Sequence, residues 1–566
     1  MLHPGLAGAA SSYDVIVIGA GAAGMAAALF AAIRGARTLL VEKTAFVGGT
    51  SAFSAGSLWI PNTRHAAGAG ASDSLANVER YLQQIVGNRA DASLRASFLR
   101  AGPEAVEILE RNSEVKLRAY ARHPDYRSEL DGAALAGRAL EPLPFDGRLL
   151  GDAFKLIRPP LPEFTLLGGM MVDRTDIGHL LSSTKSLRSL VHSARLLARH
   201  GRDRLSHGRG TRLVMGNALV GRLLYSLIRR DVDILTGASL EKIVRVADGP
   251  VTGVILTSGG ASRDIAITSG LILAGGGFNR HRERRAALGT DQAWSSVAEG
   301  SNGDSQDKAI EIGARLSDRD LSAAFWAPAS IRRRADGSNA VFPHFVLDRG
   351  KPGTAAVDST GRRFVNEAIS YHQFALEMLA NEKSAIPAFP IADAATLRKY
   401  GLGMVRPGGW GTRAALADGY LTAADGIEQL AQRLNIDATN LRATVDRMNE
   451  FARTGYDLEF SRGSTAYQNH NGDTAAGFAN PNLGPIVTAP FYALRLYPSD
   501  IGTSAGLVTD DAARVLDAGN RPIAGVYACG NDMQSIMGGT YPGPGITLGP
   551  ALAFAYLAAA GAVRAG

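Results

Sequence analysis

The 566-residue chain carries 60 Lys+Arg against 53 Asp+Glu, with 46% apolar and 20% charged residues. That is the balance of a globular protein with a large core, and it excludes a disordered or fibrous chain. The formal charge of +7 is mild for this length; it permits attraction to an anionic surface, while the lack of interleaved basic and aromatic residues argues against nucleic acid. The length implies two domains, one of them discontinuous in the chain. The single cysteine, Cys529, excludes an intramolecular disulfide framework and a Cys-cluster metal site, and is expected to be a buried thiol. The 11 histidines are scattered without H-E-x-x-H spacing, so no metal site is expected. The first dozen residues lack a charged region followed by an apolar one, which points away from secretion and toward a cytoplasmic, reducing compartment.

Val15 to Ile33, VIVIGAGAAGMAAALFAAI, is long enough to span a membrane. Its β-branched opening, its three glycines and its alanine-rich remainder instead predict a strand, a glycine turn and a buried helix. Gly19, Gly21 and Gly24 form G-x-G-x-x-G at that turn, and Glu42 ends the next strand. Gly19 makes the turn, Gly21 lets the backbone approach a pyrophosphate and Gly24 allows close helix packing. The helix N-terminus with Ala22 and Ala23 faces the phosphates, and Glu42 accepts a ribose hydroxyl. Lys43 follows, and then two small-residue turns, Gly49-Thr50-Ser51 and Ala55-Gly56. A second strand runs into Ala274-Gly275-Gly276, and a third glycine turn holds Gly530 and Asn531.

Helices are expected between about Leu75 and Asn112, and strands at Val232-Asp-Ile-Leu and Val251–Leu256. A basic segment occupies about 180–213. There Leu187, Leu190, Val191, Ala194, Leu197 and Ala198 share one helical face, with Lys185, Arg188, Arg195 and Arg199 mostly elsewhere. Such a helix lies on an anionic membrane as a peripheral contact, or packs its apolar face on the rest of the protein. Composition shifts around 326–335 place a boundary there. The expected division is 1–330 with 486–566 for nucleotide binding and 331–485 for a substrate cap.

The C-terminal run Gly539-Thr-Tyr-Pro-Gly-Pro-Gly-Ile-Thr-Leu-Gly-Pro550 is the most specific motif. With the three glycine turns it resembles the flavoproteins related to the flavin subunit of fumarate reductase and succinate dehydrogenase. Within them it is similar to the 3-ketosteroid Δ1-dehydrogenases (3-oxosteroid 1-dehydrogenases), over essentially the full length. The resemblance implies an α/β fold: a discontinuous Rossmann-like FAD-binding domain with an inserted α+β capping domain. It implies FAD held by the three glycine turns together with Gly545, Thr547 and Leu548, where the last helix begins. No histidine lies between Gly48 and Asn62, so the FAD is expected to be non-covalent. Thr547 stands where fumarate reductases carry a proton-donating arginine, which argues against a fumarate site.

The resemblance also implies the chemistry: 1,2-desaturation of a 3-ketosteroid. Tyr371 would take the C2 proton, assisted by Tyr126, and flavin N5 would receive hydride from C1. Tyr541, through its hydroxyl, and Gly545, through its N–H, would hold the ketone oxygen. Ionising a free tyrosine at pH 7 costs about 4 kcal/mol, so Tyr371 needs help from a neighbour, with Arg127 and His372 nearby in sequence. The reduced flavin is expected to pass electrons to a quinone or another carrier. Three alternatives stay open: a 4,5-dehydrogenase, an enzyme for a non-steroid cyclic ketone, and a flavin- or sterol-binding protein without turnover.

Overall fold

Val15, Ile16, Val17 and Ile18 form the buried part of the strand Ser12–Ile18. A β-branched run without alternation suits a parallel strand covered on both faces. This strand lies inside a nine-stranded sheet, parallel to Thr38–Glu42 on one side and to Ala261–Leu273 on the other. In the computed structural model, residues 2–246, 249–286, 288, 290, 291, 293–346 and 348–564 are described. Asp233–Thr236 and Leu2–Pro4 extend the sheet in parallel beyond Thr38–Glu42. Beyond Ala261–Leu273 the sheet continues antiparallel through Val251–Ser258 and Ser239–Arg245, and Pro522–Ala528 adds a parallel neighbour. The fold is α/β, with the three glycine turns at the ends of strands in this one sheet.

The alanine-rich half of the apolar stretch is the helix Ala22–Ile33, buried on almost every side. Its small side chains allow a close approach to the last helix, Leu548–Arg564, where Phe30 meets Tyr556 edge-on at 5.2 Å. Among the described residues no helix is long and apolar enough to cross a membrane. Cys529 is buried, and burial pushes its thiol pKa up.

Two four-stranded sheets build the other half. One contains Trp294–Ser295, Tyr497–Thr503, Ala324–Arg333 and Asn339–Pro343; the other contains Thr354–Val357, Phe389–Ala392, Phe491–Ala493 and Thr422–Ala424. The strand Ala324–Arg333 runs through the boundary expected at 331. The return expected at 486 comes later in the strand pairing, because Phe491–Ala493 pairs with Phe389–Ala392 and Thr422–Ala424. Its alternating side chains fill two apolar cores: Phe491 and Ala493 pack with Ile391 and Leu430, and Tyr492 packs with Phe374 and Leu397.

The Arg-Phe-Val-Asn-Glu segment builds a buried ionic knot. Arg363 Nη2 lies 2.8 Å from both Glu367 and Asp457, and Arg462 adds a 3.1 Å contact to Glu367. Burial alone would raise the pKa of Glu367, but Arg363 and Arg462 outweigh it and hold the carboxyl below its usual range. Asn366 bonds the Phe460 carbonyl at 2.9 Å. Three residues after the knot, Ser370 caps the helix Tyr371–Ala380 by accepting from the Gln373 N–H. Removing one member of such a network strands a buried charge, so Glu367→Gln is expected to cost about 3–5 kcal/mol. A lower urea midpoint of unfolding would show it.

The helix Leu187–Asp203 corrects the packing alternative. Its inward face carries Ser189, Ser193, Leu196, His200 and Asp203, whereas Leu190, Val191 and Leu197 are exposed. Leu187 and Leu205 are 76% and 87% exposed, so the apolar stripe does not pack on the protein. Ile177 and Leu181, on the preceding helix Arg174–Leu181, are exposed as well.

Candidate active site

The first glycine turn is shaped by close approaches. Gly19 has φ +100°, and a Cβ there would lie 2.3 Å from the Ala274 carbonyl oxygen. A Cβ on Gly24 would lie 1.8 Å from the Gly19 oxygen, so both positions admit only glycine. Gly21 differs: nothing lies within 4 Å of where its Cβ would be. As the N-cap of Ala22–Ile33 it also has no side chain to bond the first-turn amides, so this end faces open space with donors and a positive dipole. Ser51 reaches the Ala22 N–H at 3.3 Å. Thr50 accepts from the Ala298 N–H at 3.0 Å.

Glu42 holds the turn as well as facing it. One of its oxygens accepts from the Ala20 N–H at 3.0 Å, and the other accepts from the N–H and hydroxyl of Thr44. The oxygen that accepts from Ala20 keeps a lone pair for a ribose hydroxyl. Lys43 bonds Asp304 at 2.7 Å and also Asn302. The helix Asp304–Glu311 therefore ties down the strand end, and its N-cap is Gly303, with no side-chain cap. Gly49 lies beside Gly21, and a Cβ on Gly56 would meet the Gly216 backbone at 2.8 Å; Ala55 between these turns is exposed.

The other two turns converge on this one. A Cβ on Gly530 would lie 2.7 Å from the Ala23 Cβ. Buried Asp532 clasps the second turn, accepting from the N–H of Gly275 at 2.5 Å, the N–H of Gly277 at 3.0 Å and the hydroxyl of Ser305 at 2.6 Å. Gly276, between them, has φ +92°. A cleft lined by Phe325, Thr503, Gly530, Asn531, Ile546 and Thr547 continues from here. These features fit FAD: a helix N-terminus at an open Gly21, an acid at the strand end, and a cleft lined by Thr547 and Pro550 at the start of the last helix.

At the far end of the cleft sit the tyrosines. Phe325 touches Tyr541 edge-on at 5.3 Å, and Thr547 bonds the Tyr541 hydroxyl. Tyr541 lies 5.1 Å from Tyr371 and 5.7 Å from Tyr126, centroid to centroid. The Tyr126 hydroxyl is 3.2 Å from that of Tyr371. Burial pushes the Tyr371 hydroxyl well above its ordinary value, and Tyr126 and Tyr541 add to the shift. Tyr126 is pushed up the same way, and Tyr541 is raised by burial.

Neither side chain expected to tune Tyr371 supplies positive charge. Arg127 turns outward to Glu129. His372 is buried and neutral, with burial lowering its pKa to about 4. Its Nδ1 accepts from the Trp326 N–H at 3.1 Å, and its Nε2 donates to the Gly539 carbonyl at 3.0 Å. His372 thus holds the start of the Tyr541 loop.

Three further bonds clamp that loop. The Tyr126 N–H and the Tyr81 hydroxyl both donate to the Pro542 carbonyl, at 2.9 and 2.6 Å. The Trp59 N–H donates to the Gly545 carbonyl at 3.0 Å. Gly545 has φ +92°, and its own N–H has no partner among the described residues. A Cβ at Gly545 would lie 2.4 Å from the Ser57 oxygen. The arrangement joins a hydroxyl and an unpaired amide, both donors, to a pair of bonded phenols in an apolar setting.

Two participants have little sequence signal. Asp532 directly follows Gly530-Asn531 and could have been read with that turn. Tyr467 lies 4.7 Å from Tyr126, centroid to centroid, and its hydroxyl is buried without a partner among the described residues; nothing in its local sequence marks it.

The model for the FAD binding domain family matches residues 14–548. The chain is 37% identical to the 4-oxocyclohex-2-ene-1-carboxylate 5-dehydrogenase of Sinomonas cyclohexanicum, across 96% of this chain and 92% of that one. It is 34% identical to the 3-oxosteroid 1-dehydrogenase of Mycolicibacterium smegmatis, across 97% and 96%. Among solved structures, the 3-ketosteroid Δ1-dehydrogenase of Sterolibacterium denitrificans in complex with 1,4-androstadiene-3,17-dione superposes with a TM-score of 0.90 at 33% identity, covering 98% of this chain and 100% of that one. The chain belongs to the FAD binding domain family and, within it, to the FAD-dependent dehydrogenases that include the 3-oxosteroid 1-dehydrogenases.

Proposed function

We propose that the protein desaturates the carbon–carbon bond beside the ketone of a 3-ketosteroid, between C1 and C2. The observation that carries this reading is the bonded phenol pair, Tyr126 and Tyr371, set against the Tyr541 hydroxyl and the free Gly545 N–H. FAD, when bound, supplies the acceptor for the hydride. Tyr541 and Gly545 hold the ketone oxygen and stabilise the charge that grows on it as the α proton leaves. The raised pKa of Tyr541 keeps its proton in place, as a donor requires. Tyr371 takes the α proton as its phenolate, after its own hydroxyl proton has passed to solvent, and Tyr126 donates to that ionised oxygen. Support for the steroid comes from the relatives named for it, at about one-third identity over nearly the whole chain. A single ketone-bearing ring is the second reading, favoured by the 37% identity to a dehydrogenase of an oxocyclohexene carboxylate. Incubation with 4-androstene-3,17-dione and, separately, 4-oxocyclohexanecarboxylate, followed by product identification, tests both; a product without a new double bond beside the ketone would reject both.

For the architecture, we place FAD on residues 1–330 with the C-terminal part, and the cap on the inserted part from 331, ending near Leu496 where the strand pairing changes. For the electron acceptor we favour a quinone met at a membrane. The exposed stripe Leu187, Leu190, Val191, Leu197 and Leu205, with Arg188 and Arg195 beside it, suits an anionic bilayer surface. The holoenzyme should float with vesicles containing phosphatidylglycerol. Leu187→Ser with Leu190→Ser should abolish flotation, and equal flotation of this variant would reject the assignment.

A further inference from the structure

The tyrosine cluster has a second, cationic end that the desaturation chemistry does not use. Beyond Tyr126, the ring of His123 follows at 6.4 Å and that of His470 lies 5.4 Å further on. Arg174 Nη1 is 3.2 Å from His470 Nε2. Among the described residues, neither Arg174 nor Lys351 makes an ion pair with a carboxylate. Lys351 donates to the Gly472 carbonyl at 2.7 Å. The acids that come near are engaged elsewhere: Asp473 bonds Lys399 and Tyr400, and Asp348 bonds His344.

The effect of this crowding reaches His470 and Lys351. After burial, Arg174 and Lys351 are among the charges that lower His470 to about 4, and Arg174 is the next contributor after burial in lowering Lys351 to about 8. Arg174 acts on both Tyr467 and His123, and among the described residues the Tyr467 hydroxyl and His123 Nδ1 are buried without a hydrogen-bond partner. Tyr467 is 1% exposed and its ring packs on Tyr126, while Arg349 and Arg174 are the cations that act on its hydroxyl. Arg174 is exposed at the mouth of this group, with His470 and Lys351 half-buried behind it; cations without a carboxylate partner, next to a spare buried hydroxyl, describe a receptor for an anion.

We propose that this end binds a carboxylate carried by the ketone substrate, with Arg174 as the main anchor and Lys351, His470 and Tyr467 around it. The inference rests on the ketone-desaturation reading for the other end of the substrate and adds its chemical class: a cyclic ketone that is also an acid. Such a carboxylate comes from the ketone ring itself or from the side chain of a steroid acid. In both cases Arg174 orients the substrate with its ketone toward Tyr541.

The test uses the holoenzyme and its Arg174→Gln variant, with binding and turnover read separately. Cyclohexanecarboxylate, which has no ketone, should bind the wild type in calorimetric titration and bind the variant about 10- to 100-fold more weakly. Its methyl ester should not distinguish the two proteins. In turnover, KM for 4-oxocyclohexanecarboxylate or for 3-oxo-4-cholen-24-oate should rise by a similar factor in the variant, with the methyl esters unaffected. Whichever acid responds identifies the source of the carboxylate. Equal binding of cyclohexanecarboxylate by both proteins, or no binding by the wild type, would overturn the proposal, as would acid and ester weakening together. Carboxylate binding that depends on Arg174, in a protein that oxidises none of the ketones, would uphold the anion site and reject desaturation.

Discussion

Tyr371→Phe is expected to slow substrate-driven reduction of the flavin by about 10²- to 10⁴-fold, the usual contribution of a positioned general base. The ring keeps its edge-on contacts with Tyr541 at 5.1 Å and Phe345 at 4.9 Å, so the fold and the bound FAD should be unchanged. The pH dependence separates this role from packing. Burial, with Tyr126 and Tyr541, raises the Tyr371 pKa well above 10 in the folded protein, so the phenol is protonated at neutral pH. Below that pKa, each unit of rising pH makes the deprotonated form that accepts a proton about tenfold more abundant. The wild-type rate should therefore climb through neutral and alkaline pH with no plateau below about pH 10. In Tyr371→Phe that slope should vanish, and a variant that kept it would place the base elsewhere.

Tyr541→Phe is expected to lower kcat by about 10²- to 10³-fold, the cost of removing one donor to a developing oxyanion. The loss should fall on kcat more than on KM, because the donor matters most when charge grows on the ketone oxygen. Gly545 supplies the second donor, so some activity should remain. Gly545→Ala is a poorer probe. Its Cβ would collide with Ser57 oxygen at 2.4 Å and its φ of +92° would be strained, so a loss there would mix chemistry with loop damage. A larger effect on KM than on kcat in Tyr541→Phe would make Tyr541 a substrate-packing residue instead.

The parts legible in the sequence are those in which local geometry leaves few residue choices. Gly19 and Gly24 stand where any Cβ would strike backbone, and such positions announce themselves in a single chain. The loop around Tyr541 could be read for the same reason: Pro542 and Pro544 stiffen it, and Gly539 and Gly545 take positive φ that other residues would resist. The parts that escaped depend on distant partners. Tyr126 and Tyr371 are 245 residues apart, and their bond could be expected only through a resemblance. Tyr467 and Arg174 come from separate segments with no motif to join them. His372 looked like a charge donor from its position next to Tyr371, whereas burial makes it a neutral clamp on Gly539.

Periodicity has a similar limit. The apolar stripe of Leu187–Asp203 was visible, but periodicity does not say what a stripe faces, and here it faces outward. Phe491–Ala493 likewise reads as an ordinary strand, and its pairing with Phe389–Ala392 is not legible from local sequence.

The most direct test mixes the oxidised holoenzyme with 4-androstene-3,17-dione without oxygen, follows the flavin absorbance and identifies the product, for the wild type and Tyr371→Phe side by side. The account predicts rapid bleaching with a 1,4-dien-3-one product in the wild type, and bleaching slowed by at least about 10²-fold in the variant. Equal bleaching in both proteins, or a product desaturated away from the ketone-flanking bond, would contradict it.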